Sequence, residues 1–247
     1  MNKFPTLADF IFCRKCISCL ETLPLFSGKD FCEKCEKQVA RLENKDFTLL
    51  NADKVKSLFY YSGAIRKALT KFKYRNFAQA GKVLGKELAH ELKKDPDFMS
   101  ADIIVNVPNG KYDTERLYNQ SELLAKVVSK DCGIPFYPNV LKKKRNIKSQ
   151  VKCKSYTERK ENVKDVFSAV KGIDLSDKTV MIIDDITTTG STLNECAKAL
   201  KKAGAKTVYG ATVARPSITM PKSKIKLLDA DIVFLKKPSV HYKFSVK

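Results

Sequence analysis

The chain has 247 residues, enough for one sizeable α/β domain and a small appendage. No apolar run approaches the roughly 20 residues that cross a bilayer, so membrane insertion is not expected. Lys and Arg number 47 against 27 Asp and Glu, a formal charge of +20, which favours polyanions such as nucleic acid or anionic phosphate ligands.

Residues 1–45 read as a cysteine module. Five cysteines fall between Cys13 and Cys35. Cys16 with Cys19 and Cys32 with Cys35 make two C-x-x-C knuckles separated by twelve residues. Each such turn aims two thiolates at one point, and two turns complete the tetrahedral sulfur shell that zinc prefers. Cys13 makes a competing knuckle with Cys16, and spacing alone does not choose between them. The apolar lead-in around Phe10, Ile11 and Phe12 would cover the mini-core, and Glu33 to Lys45 reads as a charged helix. Disulfides and unliganded thiols are the other readings of such cysteines, and disulfides need an oxidising compartment. Asp9 and Arg14 interrupt any secretory apolar region, so the cytoplasm is expected. Cys132, Cys153 and Cys196 are scattered and read as buried free thiols.

Residues 46–98 read as a linker and helical region. Phe59, Tyr60 and Tyr61 are strand-like; Ile65, Leu69 and Phe72 recur at helical spacing, and Val83, Leu84, Leu88 and Leu92 form a second stripe. Between the stripes Lys73, Tyr74 and Arg75 form a basic, aromatic tip of the kind that meets nucleic-acid bases, although a tyrosine there also serves packing. From residue 99 to 247 strands and helices alternate, which predicts a parallel sheet with crossovers. The predicted strands are 102–107, 180–183, 206–214 and an edge strand at 230–235; helices are predicted over 117–128 and after residue 192. Within 142–160 stand nine basic residues, among them Lys142, Lys143, Lys144, Arg145, Lys148 and Arg159, against the single acid Glu158. Such a run is either a solvated lysine-rich surface or a basic arm near a phosphate-rich ligand.

The segment from Val180 to Leu193 carries the most chemistry. Val180 to Ile183 is an apolar run suited to a buried parallel strand. Asp184 and Asp185 follow at its carboxyl end, where open α/β sheets hold their ligands. Ile186 then leads into Thr187, Thr188, Thr189, Gly190, Ser191 and Thr192, a loop of small hydroxylated residues feeding a helix. Unpaired backbone N–H groups and the positive helix end suit a phosphate there. Carboxylates repel phosphate, so the acidic pair must meet sugar hydroxyls or a hydrated magnesium ion. A Walker-type loop would need a Lys before its Ser or Thr, and none stands here.

These residues resemble the signature of type I phosphoribosyltransferases, which bind 5-phosphoribosyl 1-diphosphate (PRPP) with magnesium. Further motifs narrow the likeness: Val107-Pro108, Arg116 to Gln120, Arg145 and Gln150, Arg159 with Asn162, and Phe167 resemble successive motifs of the ComF family. The resemblance implies a type I phosphoribosyltransferase-like α/β domain, a parallel sheet flanked by helices, behind a four-cysteine zinc module. It implies Cys16, Cys19, Cys32 and Cys35 as zinc ligands, with Cys13 as a spare. It assigns Asp184 and Asp185 to the ribose, Thr187 to Thr192 to the 5′-phosphate with Ile186 in the same PRPP pocket, and Pro108, Asn109 and Lys111 to the pyrophosphate with magnesium. Single-stranded DNA is the implied partner, contacted through the 142–160 run, Lys73 and Arg75, in DNA uptake alongside its machinery proteins. The alternative implied by the same residues is a working phosphoribosyltransferase, with Asp184, Asp185 and Lys111 catalytic, an unidentified nucleobase or other acceptor, and a structural zinc module. Three positions depart from the family pattern. Leu117 replaces a Gly, Ile147 replaces a Thr, and the turn after Pro108 is a residue short and carries Asp113 and Glu115.

Overall fold

A computed structural model describes residues 14–24, 27–43, 46–109, 118–143 and 166–217, and the backbone of 232–234. Its centre is a six-stranded, mostly parallel sheet. β1 (Phe47–Leu49), β2 (Lys54–Tyr60), β3 (Ile103–Asn106), β6 (Thr179–Ile186), β7 (Thr207–Arg215) and β8 (Ile232–Phe234) lie in the order β3-β6-β7-β2-β1-β8. β3, β6, β7 and β2 run parallel, while β1 pairs antiparallel with β2 and with β8. β4 (Leu141–Lys143) and β5 (Phe167–Ala169) make a separate antiparallel pair.

Side-chain alternation along β6 feeds two cores. Met181 and Ile183 pack with α2 (Gly63–Tyr74), α3 (Ala78–Leu92) and α5 (Gln120–Cys132) through Leu69, Phe72, Leu88 and Leu124. Val180 and Ile182 pack on the opposite face with Leu193, Cys196 and Leu200 of α6 (Ser191–Lys202). The predicted strands and the long helices are present, with β8 at the sheet edge as expected.

Two expectations need correction. The helix at Glu33 is a single turn, α1 (Glu33–Glu36), instead of running to Lys45. Beyond it the backbone serves the sheet: Leu42 N donates to Leu58 O and Tyr60 N to Ala40 O, both at 2.9 Å, along the carboxyl half of β2. Within 46–98, β2 is an inner strand that pairs with β7 from Lys54 to Tyr60, longer than the strand-like run at Phe59. Lys54 and Lys56 disguise its first half, and both reach Asp46, just before β1, and Asp95, which caps the short helix α4 (Pro96–Met99), while Lys54 also reaches Asp97 inside that helix.

α2 does not return along the sheet face as an ordinary crossover helix would. It starts beside β2, yet its last turn brings Lys73 to Asp185 of β6, two strands away. It therefore crosses the carboxyl end of the sheet, where ligands of such folds bind.

Candidate functional site

Asp184 and Asp185 end the buried run of β6, between β3 and β7. Asp184 lies opposite Thr212 of β7, and Val107 N donates to Ile183 O at 3.1 Å. Both carboxylates are buried. Asp184 Oδ1 accepts from Ser121 Oγ at 2.7 Å and from the Asp185 N–H at 2.9 Å. Burial, and then the adjacent Asp185 carboxylate, push the Asp184 carboxyl up to about 7 despite the opposing pull of the Ser121 hydroxyl and the Lys73 ammonium. Asp185 Oδ2 is held by Lys73 Nζ at 2.8 Å. Lys73, expected on a nucleic-acid surface, thus turns into the carboxylate pocket, whereas Tyr74 and Arg75 beside it face solvent.

The loop after β6 has the shape its residues predict. Thr187 N donates to Ala214 O at 3.0 Å, which ties the loop to the end of β7. Gly190 takes φ +75° as the residue that starts α6 and contributes no side-chain cap. A Cβ there would stand 2.5 Å from Leu49 Cδ2, so glycine also admits the β1–β2 turn, whose Asn51 N–H reaches Asn194 Oδ1 at 2.9 Å. Thr189 and Ser191 hydroxyls meet at 2.7 Å. The Thr187 hydroxyl is buried and has no hydrogen-bond partner among the described residues. The first N–H groups of a helix lack intrahelical acceptors, and small hydroxyls surround them here, an arrangement that accepts a tetrahedral anion.

Val107 continues the β3 pairing to the level of Asp184, and Pro108 and Asn109 follow it, half-buried. The segment from Tyr118 to Ser121 then ties the site together. Tyr118 Oη donates to Phe72 O at 2.9 Å, Asn119 Oδ1 caps α5 by accepting from Glu122 N at 3.2 Å, and Ser121 reaches Asp184. Sequence reasoning placed Tyr118 and Asn119 in a family motif but missed Ser121. Its only signal was a small hydroxyl one residue inside a helix start. Lys142 and Lys143 lie on β4, the first exposed and the second half-buried. Lys111, Lys144, Arg145, Lys148 and Arg159 lie outside the described residues, as does Cys13.

The four expected cysteines converge. The Sγ atoms of Cys16, Cys19, Cys32 and Cys35 all lie within 4.8 Å of one another, with Cys19 and Cys32 at 3.7 Å. A tetrahedral zinc site with Zn–S bonds of about 2.3 Å separates its sulfurs by about 3.8 Å, so the set fits zinc. Local backbone builds it: Cys16 N donates to Glu21 O, Leu20 turns through φ +71°, and Cys32 starts α1. Burial tends to raise the Cys16 thiol, but N–H groups of Cys19, Cys32 and Ser18 outweigh it and lower the thiol to about 7, whereas burial and the neighbouring thiols push Cys19 up to about 12, so Cys16 is the thiol of the cluster that gives up its proton first. The module is docked. Cys16 and Cys35 pack against Ala64 of α2, Ile17 enters the main core, and Lys71 Nζ donates to Ser18 O. Of the three scattered cysteines, Cys196 is fully buried, Cys132 is half-buried, both are free, and Cys153 lies outside the described residues.

Residues 124–243 match the phosphoribosyl transferase domain family. The chain is similar to a Haemophilus influenzae protein named competence protein F, with 29% identity over 168 residues that span 66% of this chain and 73% of that protein. It is also similar to competence protein ComFC of Streptococcus pneumoniae, with 26% identity over 211 residues, 84% of this chain and 89% of that one. Among solved structures, the purine phosphoribosyltransferase of Pyrococcus horikoshii aligns with 23% identity, covering 56% of this chain and 79% of that one, at a TM-score of 0.34.

Proposed function

Because this chain belongs to the ComF family of competence-associated, phosphoribosyltransferase-like proteins and has a type I phosphoribosyltransferase fold, we propose that it binds PRPP with magnesium and handles single-stranded DNA during DNA uptake. One observation carries the ligand reading: two buried carboxylates stand side by side at the head of a loop whose buried Thr187 hydroxyl is unpartnered among the described residues. Sugar hydroxyls donate to carboxylates and a phosphate accepts from a helix start, and PRPP offers both on one molecule. In this reading Asp184 and Asp185 orient the ribose and residues 187–192 hold the 5′-phosphate. Pro108, Asn109 and Lys111 receive the diphosphate, whose charge magnesium would neutralise. Cys16, Cys19, Cys32 and Cys35 would hold a zinc ion that stiffens the amino-terminal module. Thiolate ligands persist in a reducing compartment, which favours the cytoplasm as the place of action.

The DNA reading draws on the +20 charge, the basic run at 142–160 and the kinship with competence proteins. Proteins of the uptake machinery are the partners it implies. Fluorescence anisotropy of a labelled single strand tests it, with and without PRPP and magnesium. Binding at low salt that falls steeply with added salt is expected, because counterion release contributes less in saltier solution. No binding at low salt would remove the DNA reading.

A second reading, transfer of the phosphoribosyl group to a nucleobase, is favoured by the carboxylate pair and phosphate loop being intact. It requires PRPP-dependent pyrophosphate release that Asp184→Ala and Asp185→Ala abolish. If none of the common bases is consumed, that reading is lost.

A further inference from the structure

Two adjacent, nearly buried carboxylates need a cation, and here it comes from α2. Lys73 Nζ lies 2.8 Å from Asp185 Oδ2, with the side chains 21% and 9% exposed. Alternation along β6 turns Asp185 to the face of Met181 and Ile183, which is the face of α2, α3 and α5. The 5′-phosphate loop feeds α6 on the other face. Lys73 thus reaches the carboxylates from the side of the start of α5. Tyr118 marks the junction: its hydroxyl donates to Phe72 O at 2.9 Å, and its ring packs on Phe72 with centroids 5.5 Å apart. At the other side of the helix Lys71 holds the Ser18 carbonyl of the first cysteine knuckle. The backbone carrying Lys73 is fixed at both contacts, and its four-carbon stem is the part that can swing.

A carboxylate engaged by an ammonium cannot give the same lone pairs to sugar hydroxyls or a hydrated cation. A ligand that takes Asp185 must displace Lys73, and a nearly buried ammonium then needs a new anion. PRPP supplies one, because its diphosphate would lie by Pro108 and Asn109 at the carboxyl end of β3 while its 5′-phosphate occupies the loop before α6.

We propose that Lys73 is a diphosphate-binding residue of this pocket, which pairs with Asp185 in the free protein and passes to a diphosphate oxygen when the ribose occupies the carboxylates. The proposal rests on the PRPP reading of the site. Titration calorimetry on the full chain tests it with two probes that share the ribose and the 5′-phosphate, PRPP with magnesium and ribose 5-phosphate with magnesium. Lys73→Met should weaken PRPP by about tenfold or more, the loss of one charge-assisted hydrogen bond, and ribose 5-phosphate by less than about twofold. Lys73→Arg should recover part of the PRPP affinity. Melting curves accompany each variant, and Lys73→Gln replaces the methionine variant if that one does not fold. Unchanged PRPP affinity, or equal loss of both probes, overturns the role of Lys73 while leaving the pocket reading standing. A wild-type chain that binds neither probe overturns the pocket reading itself, and the role of Lys73 with it.

Discussion

Gly190→Ala strikes the loop between β6 and α6 at its tightest point. Two costs follow from the geometry. An alanine held at φ +75° pays roughly 1–2 kcal/mol for the left-handed backbone. Its Cβ would also stand 2.5 Å from Leu49 Cδ2, closer than real Cβ contacts allow, and Leu49 is itself only 7% exposed. Overpacking of that kind costs about 1–3 kcal/mol, for a total of about 2–5 kcal/mol. Leu49→Ala removes the obstructing methyl groups at its own cost of about 2–5 kcal/mol. In that background Gly190→Ala should cost only the backbone part, about 1–2 kcal/mol. Urea unfolding of the wild type, both single variants and the double variant measures the difference, a coupling of about 1–3 kcal/mol. Gly190→Ala should also weaken PRPP binding, since relief of the contact moves the loop. Equal costs in the two backgrounds would refute the claim that Leu49 and the loop meet at Gly190.

Asp184 gives the site a pH dependence whose sign is fixed. Its carboxyl titrates at about 7 in the folded chain and at roughly 4 when unfolded, so the folded form retains a proton over that interval. The stabilisation from that group is present at acid pH and is lost as pH rises through about 7, a loss Asp184→Asn should remove from urea midpoints measured between pH 5 and 8. PRPP binding needs the ionised form and should strengthen from pH 6 to 8 in the wild type, and a flat calorimetric profile would contradict that. Ser121→Ala removes a donor that lowers this pKa and should move the midpoint of the binding profile to higher pH. Metal analysis of the wild type should return one zinc per chain, and Cys16→Ser and Cys32→Ser should each lose it and lower the melting temperature. Because the module sits on α2 through Ala64 and Lys71, they should weaken PRPP as well.

Local features were legible in the sequence, and long-range ones were not. The apolar run of β6, its two carboxylates and the glycine-centred loop are contiguous, and each has one good physical use. The same holds for the two cysteine knuckles, whose spacing already specifies four converging sulfurs. β2 was harder because Lys54 and Lys56 break its apolar pattern, and their aspartate partners stand elsewhere in the chain. Ser121 and Lys73 show the same limit at the site. Ser121 acts on a carboxylate 63 residues away, and Lys73, which reads in sequence as part of a basic tip for nucleic acid, meets Asp185 only because α2 crosses the end of the sheet.

Titration of PRPP into the purified full chain, with and without magnesium, tests the central claim most directly. The account predicts one magnesium-dependent site per chain, lost in the Asp184→Asn, Asp185→Asn double variant while the fold persists. A wild-type chain that shows no PRPP binding, or a double variant that binds as well as the wild type, would contradict it.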